Sequence, residues 1–252
     1  MPGRKNLSTI LLVEDNPDLQ DYLTDSLSSQ FNVIRAGNGN EGIIMAMDHV
    51  PDLIISDIMM PGKNGYELTS ELRRNIETSH IPIILLTAKA GQESKIEGLK
   101  KGADDYLNKP FDEEELHLRV RNILQNRRKL QEKYRKQITV NPSEIDVESL
   151  DEKFLMTVTN IIEKDLSDNS INGDLISKKM GLSRSQLYRK LMALTGLSIN
   201  HFIRSIRLKR AAQLLQKRSV TVSEAAYLTG FESLSYFTKK FREEFGKLPS
   251  EY

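Results

Sequence analysis

Cysteine is absent from this chain, and histidine occurs only four times. Without cysteine there are no disulfides, thiolate metal sites or cysteine nucleophiles, and a reducing cytoplasm is the expected compartment. Long apolar runs are missing as well. None approaches the roughly 18 residues that suggest a membrane span, so a soluble chain with no membrane contact is expected. The opening MPGRKNLSTI has no apolar stretch of the kind that marks a secretory signal, and nothing in it is expected to direct the chain outward. No P-loop is present, so no ATP site is expected. His49, His80, His117 and His201 are scattered and share no motif, which makes each a surface or structural residue rather than a phosphodonor.

What is present is length enough for two cores, since 252 residues exceed the roughly 100 to 200 of an ordinary domain. The net charge of +1 conceals a division. Residues 1–126 hold 13 Lys and Arg against 20 Asp and Glu, whereas residues 171–252 hold 15 against 6. A basic C-terminal third points to a polyanion partner, and an acidic first half to a separate task.

Short apolar runs alternate with amphipathic stretches through the first half, the pattern of a parallel sheet covered by helices on both faces. Five runs read as strands: 9–13, 31–36, 53–57, 81–87 and 105–107. A helix over 17–30 places Leu19, Tyr22, Leu23, Ser26 and Leu27 on one face. Another begins at the acidic run after Phe111, keeps apolar spacing through Leu116, Val120, Ile123 and Leu124, and runs into RRKLQEKYRKQ as a helical extension. The segment 138–151 carries a proline and little periodicity, so the domain boundary is placed there. From Asp151 onward only helical patterns occur. The expected architecture is a doubly wound, five-stranded parallel α/β sheet followed by an all-α domain.

Open parallel sheets bind ligands outside the carboxyl ends of their strands. Those ends deliver Glu14 and Asp15, Asp57, Thr87 and Lys109, so three carboxylates, a hydroxyl and an ammonium should converge. Acidic residues at strand ends are often no more than solvated turn residues. Carboxylates packed this closely repel unless a cation sits among them, and Mg²⁺ suits an all-oxygen set that engages phosphate. Zinc is poorly supported without cysteines or paired histidines. Asp57 is then placed to act as a nucleophile and form an acyl phosphate. The run GNGNEG at 37–42 matches a dinucleotide fingerprint, but it lies in the second strand–helix unit rather than the first, and turn glycines explain it more simply.

The runs LLVEDN, SDIMMPGKNGYEL, ILLTA and DDYLNKPF, in this order over residues 8–126, resemble the bacterial response-regulator receiver family. That resemblance implies a flavodoxin-like receiver with Asp57 as phosphoacceptor. It also implies Mg²⁺ held by Glu14, Asp15, Asp57 and the backbone carbonyl of Met59. Lys109 then pairs with the phosphoryl group, Thr87 hydrogen-bonds to it and Tyr106 is the aromatic that changes rotamer. A cis peptide at Lys109-Pro110 is also implied.

In the last third, two short helix pairs repeat, GDLISKKMGLSRSQLYRKLMALTG and VSEAAYLTGFESLSYFTKKFREEFG. Along 183–194, Leu187, Leu191 and Leu194 form the apolar stripe, leaving Ser185, Gln186, Arg189 and Lys190 outward. Along 233–245, Leu234, Phe237, Phe241 and Phe245 are expected inside, with Ser235, Tyr236, Lys239, Lys240 and Arg242 outward. Such faces suit a major groove. Lys239 and Lys240 also fit an ordinary solvated charged face. The helix 199–215 between the pairs carries Arg204, Arg207, Lys209 and Arg210, placed to touch phosphates or simply solvated. IRLKRAAQLLQ and the ending GFESLSYFTKKFREEFGKLPSEY resemble the AraC-type DNA-binding domain over residues 168–252, which implies recognition helices in successive major grooves.

The expected organisation is a receiver at 1–126, a helical extension and linker at 127–150, and an AraC-type DNA-binding domain with a lead-in helix at 151–252. The expected function is a transcriptional regulator that accepts a phosphoryl group on Asp57 and thereby changes sequence-specific DNA binding, with activation favoured by family resemblance. It is not an enzyme beyond catalysing its own phosphorylation and dephosphorylation. Partners implied are duplex DNA, a histidine kinase in trans or upstream in the same polypeptide, a second copy on phosphorylation, and RNA polymerase. The whole also resembles the C-terminal portion of hybrid two-component sensors, which leaves two alternatives: a full-length regulator or an excised piece of such a sensor. Two rivals are a phosphate sink whose basic module only localises it, and a protein-interaction adaptor.

Overall fold

The computed structural model describes residues 7–88, 102–140, 149–218 and 220–252. Two compact units emerge, Met1–Lys129 and Leu130–Tyr252. Part of the boundary segment proposed from sequence, residues 141–148, lies outside the described residues.

In the first unit, β1 (Thr9–Val13), β2 (Asn32–Ala36), β3 (Leu53–Asp57), β4 (Ile83–Thr87) and β5 (Asp105–Asn108) pair in parallel in the order β2-β1-β3-β4-β5. Described helices are α1 (Pro17–Ser28), α2 (Gly39–His49), α3 (Gly65–Arg74) and α4 (Glu113–Val140). The central strands are buried on both faces and so read as unbroken apolar runs. Side-chain alternation sends Leu11, Val13, Ile54 and Leu85 to a core with Ile43, Leu68 and Leu72. Ile10, Leu12, Ile55 and Leu86 go to the other, with Leu23, Leu27, Leu116 and Val120.

Strand ends differ from the sequence reading for local reasons. Phe31 N–H donates to Leu27 O, 3.0 Å away, so Phe31 closes α1 rather than opening β2. Pro82 has no N–H for a ladder, and β4 begins after it. On α1 the expected inward Tyr22 is half exposed, and Gln20 is buried instead. Its amide donates to the carbonyls of Glu14 (3.0 Å) and Ala36 (2.9 Å), which fastens α1 to the ends of β1 and β2. The Lys109-Pro110 peptide is cis.

The second unit takes in α4 from Leu130, then α5 (Leu150–Lys164), α6 (Gly173–Met180), α7 (Arg184–Thr195), α8 (Ile199–Gln216), α9 (Val222–Leu228), α10 (Leu234–Phe245) and a 3-10 turn at Pro249–Glu251. Side-chain oxygens at Ser149, Asn172, Ser183, Ser198, Thr221 and Ser233 accept the first free N–H groups of the six helices that follow them. Helix α8 is the spine, since Phe202, Ile206, Leu208 and Ala211 are all buried. The second helix pair packs on it through Phe231, Phe237 and Phe241, whose rings meet at 5.1 and 5.4 Å between centroids. Gly230, at φ +77°, forms the turn between α9 and α10, and a Cβ there would fall 2.6 Å from the Leu166 carbonyl oxygen. None of the described helices is long and apolar enough to cross a membrane.

Helix α3 starts against the backbone of Asp57: Gly65 N–H donates to Ile58 O at 3.0 Å, and a Cβ on Gly65 would lie 2.4 Å from Asp57 O. Gly65→Ala is therefore expected to destabilise the first unit by about 2 kcal/mol through forced backbone displacement. Gly37→Ala meets only Glu41 Oε2 at 3.5 Å and should be nearly neutral. Urea unfolding midpoints compare the two.

Candidate functional site

The strand order reverses between β2-β1 and β3-β4-β5, and the chemistry collects at the carboxyl ends beside that point. Val13 ends β1, so Glu14 and Asp15 follow it; Asp57 is the last residue of β3, and Thr87 the last of β4. Lys109 N–H donates to Thr87 O at 2.7 Å, carrying its side chain off the end of β5. Nζ of Lys109 stands 2.9 Å from Glu14 Oε2 and 2.9 Å from Asp57 Oδ2. The other Asp57 oxygen, Oδ1, accepts from Ile58 N–H at 2.7 Å. Glu14, Asp57 and Thr87 are buried and Asp15 is exposed, so the cluster is enclosed on the sheet side and open at Asp15.

Burial pushes the Glu14 carboxyl above the ordinary carboxylate range, with Asp57 adding to the rise and Lys109 opposing it. For Lys109, burial acts to lower the ammonium, but hydrogen bonds to Asp57 and Glu14 outweigh it and hold the group above its ordinary value. One ammonium thus serves two buried carboxylates. Carboxylate oxygens of Glu14, Asp15 and Asp57 lie within 4.8 Å of one another. A raised Glu14 beside an open, all-oxygen donor set is the signature of a site short of positive charge, and it fits a hard divalent cation. Tyr106 is buried on β5, and burial, with Tyr66 and Asp104, pushes its phenol up; its hydroxyl finds no hydrogen-bond partner among the described residues. The Met59 side chain is exposed.

A second surface lies on α7 and α10. Exposed Ser185 and half-buried Arg189 line a groove on α7 together with Arg184, Tyr188 and Asn200. On α10, Ser235 and Lys239 line another with Leu234, Thr238, Arg242, Glu243 and Leu248. Tyr236 is exposed, and its hydroxyl accepts from Arg204 at 3.4 Å. Lys240 lies 5.9 Å over the Tyr236 ring and pairs with Glu243.

Several sequence expectations are corrected here. Lys190 does not face outward: it is 2% exposed and its ammonium pairs with Asp151 of α5. The reason is spacing, because residue 190 lies three after Leu187 and shares the buried stripe, whereas Tyr188 lies on its flank. Gln186 turns back, its Oε1 accepting from Ser183 N–H in a capping box. Leu234, expected inside, is 39% exposed. On α8 the guanidinium of Arg207 is drawn inward, donating to Asp168 O (2.8 Å) and Gly230 O (3.2 Å). Lys209 is buried too, and that burial pushes its amine down to about 7 against the pull of Glu244. Arg184 and Tyr188 were missed: a helical wheel puts Arg184 on the Leu187–Leu191 side, where it is exposed only as the first residue of the helix, and Tyr188 on the flank of that stripe.

This geometry defines a receiver followed by a paired helix-turn-helix module, and the chain belongs to the response regulator receiver family. The family model for the response regulator receiver domain matches residues 10–121, and that for a helix-turn-helix domain matches residues 176–252. Histidine kinase P4 of Formosa agariphila is 41% identical over 248 residues, covering 98% of this chain and 18% of that protein. Protein PilH of Pseudomonas aeruginosa is 40% identical over 119 residues, covering 47% of this chain and 98% of that one. Among solved structures, the receiver domain of sensor histidine kinase PA1611 from Pseudomonas aeruginosa PAO1, with a magnesium ion in its active site cleft, is 34% identical. It covers 47% of this chain and 98% of its own, at a TM-score of 0.44. The chain therefore spans less than a fifth of the longer Formosa relative.

Removing the ammonium by Lys109→Ala leaves two buried carboxylates without their shared cation. A loss of about 3 kcal/mol is expected at pH 7. Glu14 titrates higher folded than unfolded, so the folded state binds the extra proton just above pH 4.5, and its burden on stability grows as pH rises through that window. The variant's deficit should accordingly shrink between pH 7 and pH 5, as measured by urea unfolding at both.

Proposed function

We propose that this chain is a phosphorylation-dependent transcriptional regulator in which Asp57 accepts the phosphoryl group and the two helix-turn-helix faces bind duplex DNA. The observation that carries this reading is the Lys109 ammonium seated 2.9 Å from Asp57 Oδ2, on a chain whose other unit presents two basic reading helices. An Asp57 oxygen attacks the phosphorus of a phosphohistidine on a histidine kinase. As the new P–O bond forms the P–N bond breaks, and the imidazole leaves. Asp57 Oδ1 is already held by Ile58 N–H, which leaves the Lys109 side of the carboxylate to meet the incoming group. Lys109 then balances the charge that the phosphoryl group brings. Mg²⁺, held by the carboxylates of Glu14, Asp15 and Asp57 and the backbone carbonyl of Met59, supplies further charge neutralisation when bound.

The Thr87 hydroxyl hydrogen-bonds the phosphoryl oxygens, and Tyr106, whose buried hydroxyl has no hydrogen-bond partner among the described residues, is the aromatic that changes rotamer. Phosphorylation favours pairing of two copies and activation of transcription through RNA polymerase, in the cytoplasm. The receiver at 1–126, the linker at 127–150 and the DNA-binding domain at 151–252 form the output end of a hybrid sensor, with the kinase upstream or in trans. On the DNA module, Ser185, Arg189, Ser235, Tyr236, Lys239 and Lys240 remain the contacts, with Tyr188 replacing Gln186 and Lys190.

Acetyl phosphate with Mg²⁺ should add one phosphoryl group at Asp57, located by mass spectrometry, and Asp57→Asn should abolish it. A coupling of about 1 to 3 kcal/mol makes DNA binding roughly five- to a hundredfold stronger after phosphorylation, measured by titrating labelled duplex at fixed salt. Phosphorylation that leaves DNA affinity and assembly state unchanged would defeat the regulator reading and favour a phosphate sink.

A further inference from the structure

Helix α10 carries a feature that neither core packing nor phosphate binding requires. Leu234 is its first residue and is 39% exposed, while Phe237 and Phe241 are fully buried and Phe245 is partly buried. Ser235, Thr238, Lys239 and Arg242 share the face that Leu234 begins, following the spacing of one helix side. That face forms one wall of a groove of about 950 Å³, and Leu248, 37% exposed after the helix, stands on the other. The groove is thus lined by the apolar Leu234 and Leu248, by Thr238, and by the cationic Lys239 and Arg242. Glu243 also lines it, with its carboxylate held by Lys240. The groove on α7 has a different chemistry, with Ser185, Tyr188, Arg189 and Asn200 and no exposed aliphatic residue on the helix itself.

Resting on the reading of the module as DNA-binding, we propose that α10 recognises thymine in the major groove, through apolar contact of Leu234 and Thr238 with thymine C5-methyl groups. The major-groove edge of DNA displays one apolar group, the thymine methyl, and everything else there is a hydrogen-bond donor or acceptor or a C–H. A leucine at the start of a recognition helix cannot satisfy a guanine or adenine edge, since it has no polar atom, and placing it there leaves those base groups unpaired. It does gain by covering a methyl. The residues at the N-terminal end of a recognition helix are also the ones that reach base edges, and Leu234 and Ser235 occupy that end. Lys239 and Arg242, farther along the same face, are placed to hold the backbone phosphates that fix the register. The two halves of the target site are therefore read by different chemistry: polar and cationic at α7, methyl-sensing at α10.

The test uses the full chain and duplexes selected by it from a random pool. Selected sites should carry A·T pairs in one half. Replacing each thymine of that half in turn with deoxyuridine removes only the methyl, and each methyl that Leu234 or Thr238 covers should lower affinity about fourfold. The same replacements should have no effect on the double variant Leu234→Ala/Thr238→Ser, whose thermal unfolding should match the parent because neither side chain is buried. Affinity unchanged by deoxyuridine at every thymine, in a protein that binds its selected site tightly, overturns methyl reading and leaves the regulator reading standing. Equal deoxyuridine losses in the parent and in the double variant overturn the assignment to this helix. Failure to bind any duplex above the nonspecific level overturns both readings together.

Discussion

The Lys109 ammonium lies between carboxylates from two strands, 2.9 Å from Glu14 and 2.9 Å from Asp57, and it arrives from a third strand, β5. Three separate parts of the chain must therefore be in register before any one charge is tolerable. Burying two carboxylates costs several kcal/mol each unless paired, so the ion pair both depends on the sheet and reports on it. Its weakness is its use. One cation faces a three-carboxylate cluster, and burial, with Asp57 adding to it, holds Glu14 above the ordinary carboxylate range. Such an all-oxygen site suits a hard divalent cation, whose charge would complete the balance.

The surroundings hold that cluster rigidly with uncharged means. Gln20 ties the Glu14 carbonyl to α1, Ile58 N–H fixes one Asp57 oxygen, and Gly65 lets α3 approach the Asp57 backbone where a Cβ would clash. None of these residues carries chemistry of its own. Together they limit motion at the strand ends.

In the second unit the organising constraint is the burial of cations that the sequence made look superficial. Arg207 spends its donors on the carbonyls of Asp168, ahead of the first helix pair, and Gly230, in the turn of the second, and so ties both pairs to the same spine. Lys190 locks α7 to α5 through Asp151. In addition, Gln131, in the part of α4 that belongs to this unit, donates to the Met192 and Ala193 carbonyls at 3.0 and 2.9 Å, capping the end of α7. The reading helices are thus positioned from behind by polar contacts and left with a smaller, better-defined outward face.

The amino-acid sequence alone was enough for what depends on local periodicity and on short motifs. The five strands, the helix-turn-helix repeats, and the gathering of Glu14, Asp15, Asp57, Thr87 and Lys109 at strand ends all follow from apolar spacing plus the rule that parallel sheets present their carboxyl ends on one edge. What it could not settle was which polar side chains turn inward. Gln20, Lys190, Arg207 and Lys209 are as hydrophilic as their exposed neighbours, and Leu234 is as apolar as the buried phenylalanines beside it. Their fates were decided by the tertiary structure, because a partner on another helix, such as Asp151 for Lys190, or a position that no described helix fully covers, as at Leu234, is a fact of packing that no single segment contains.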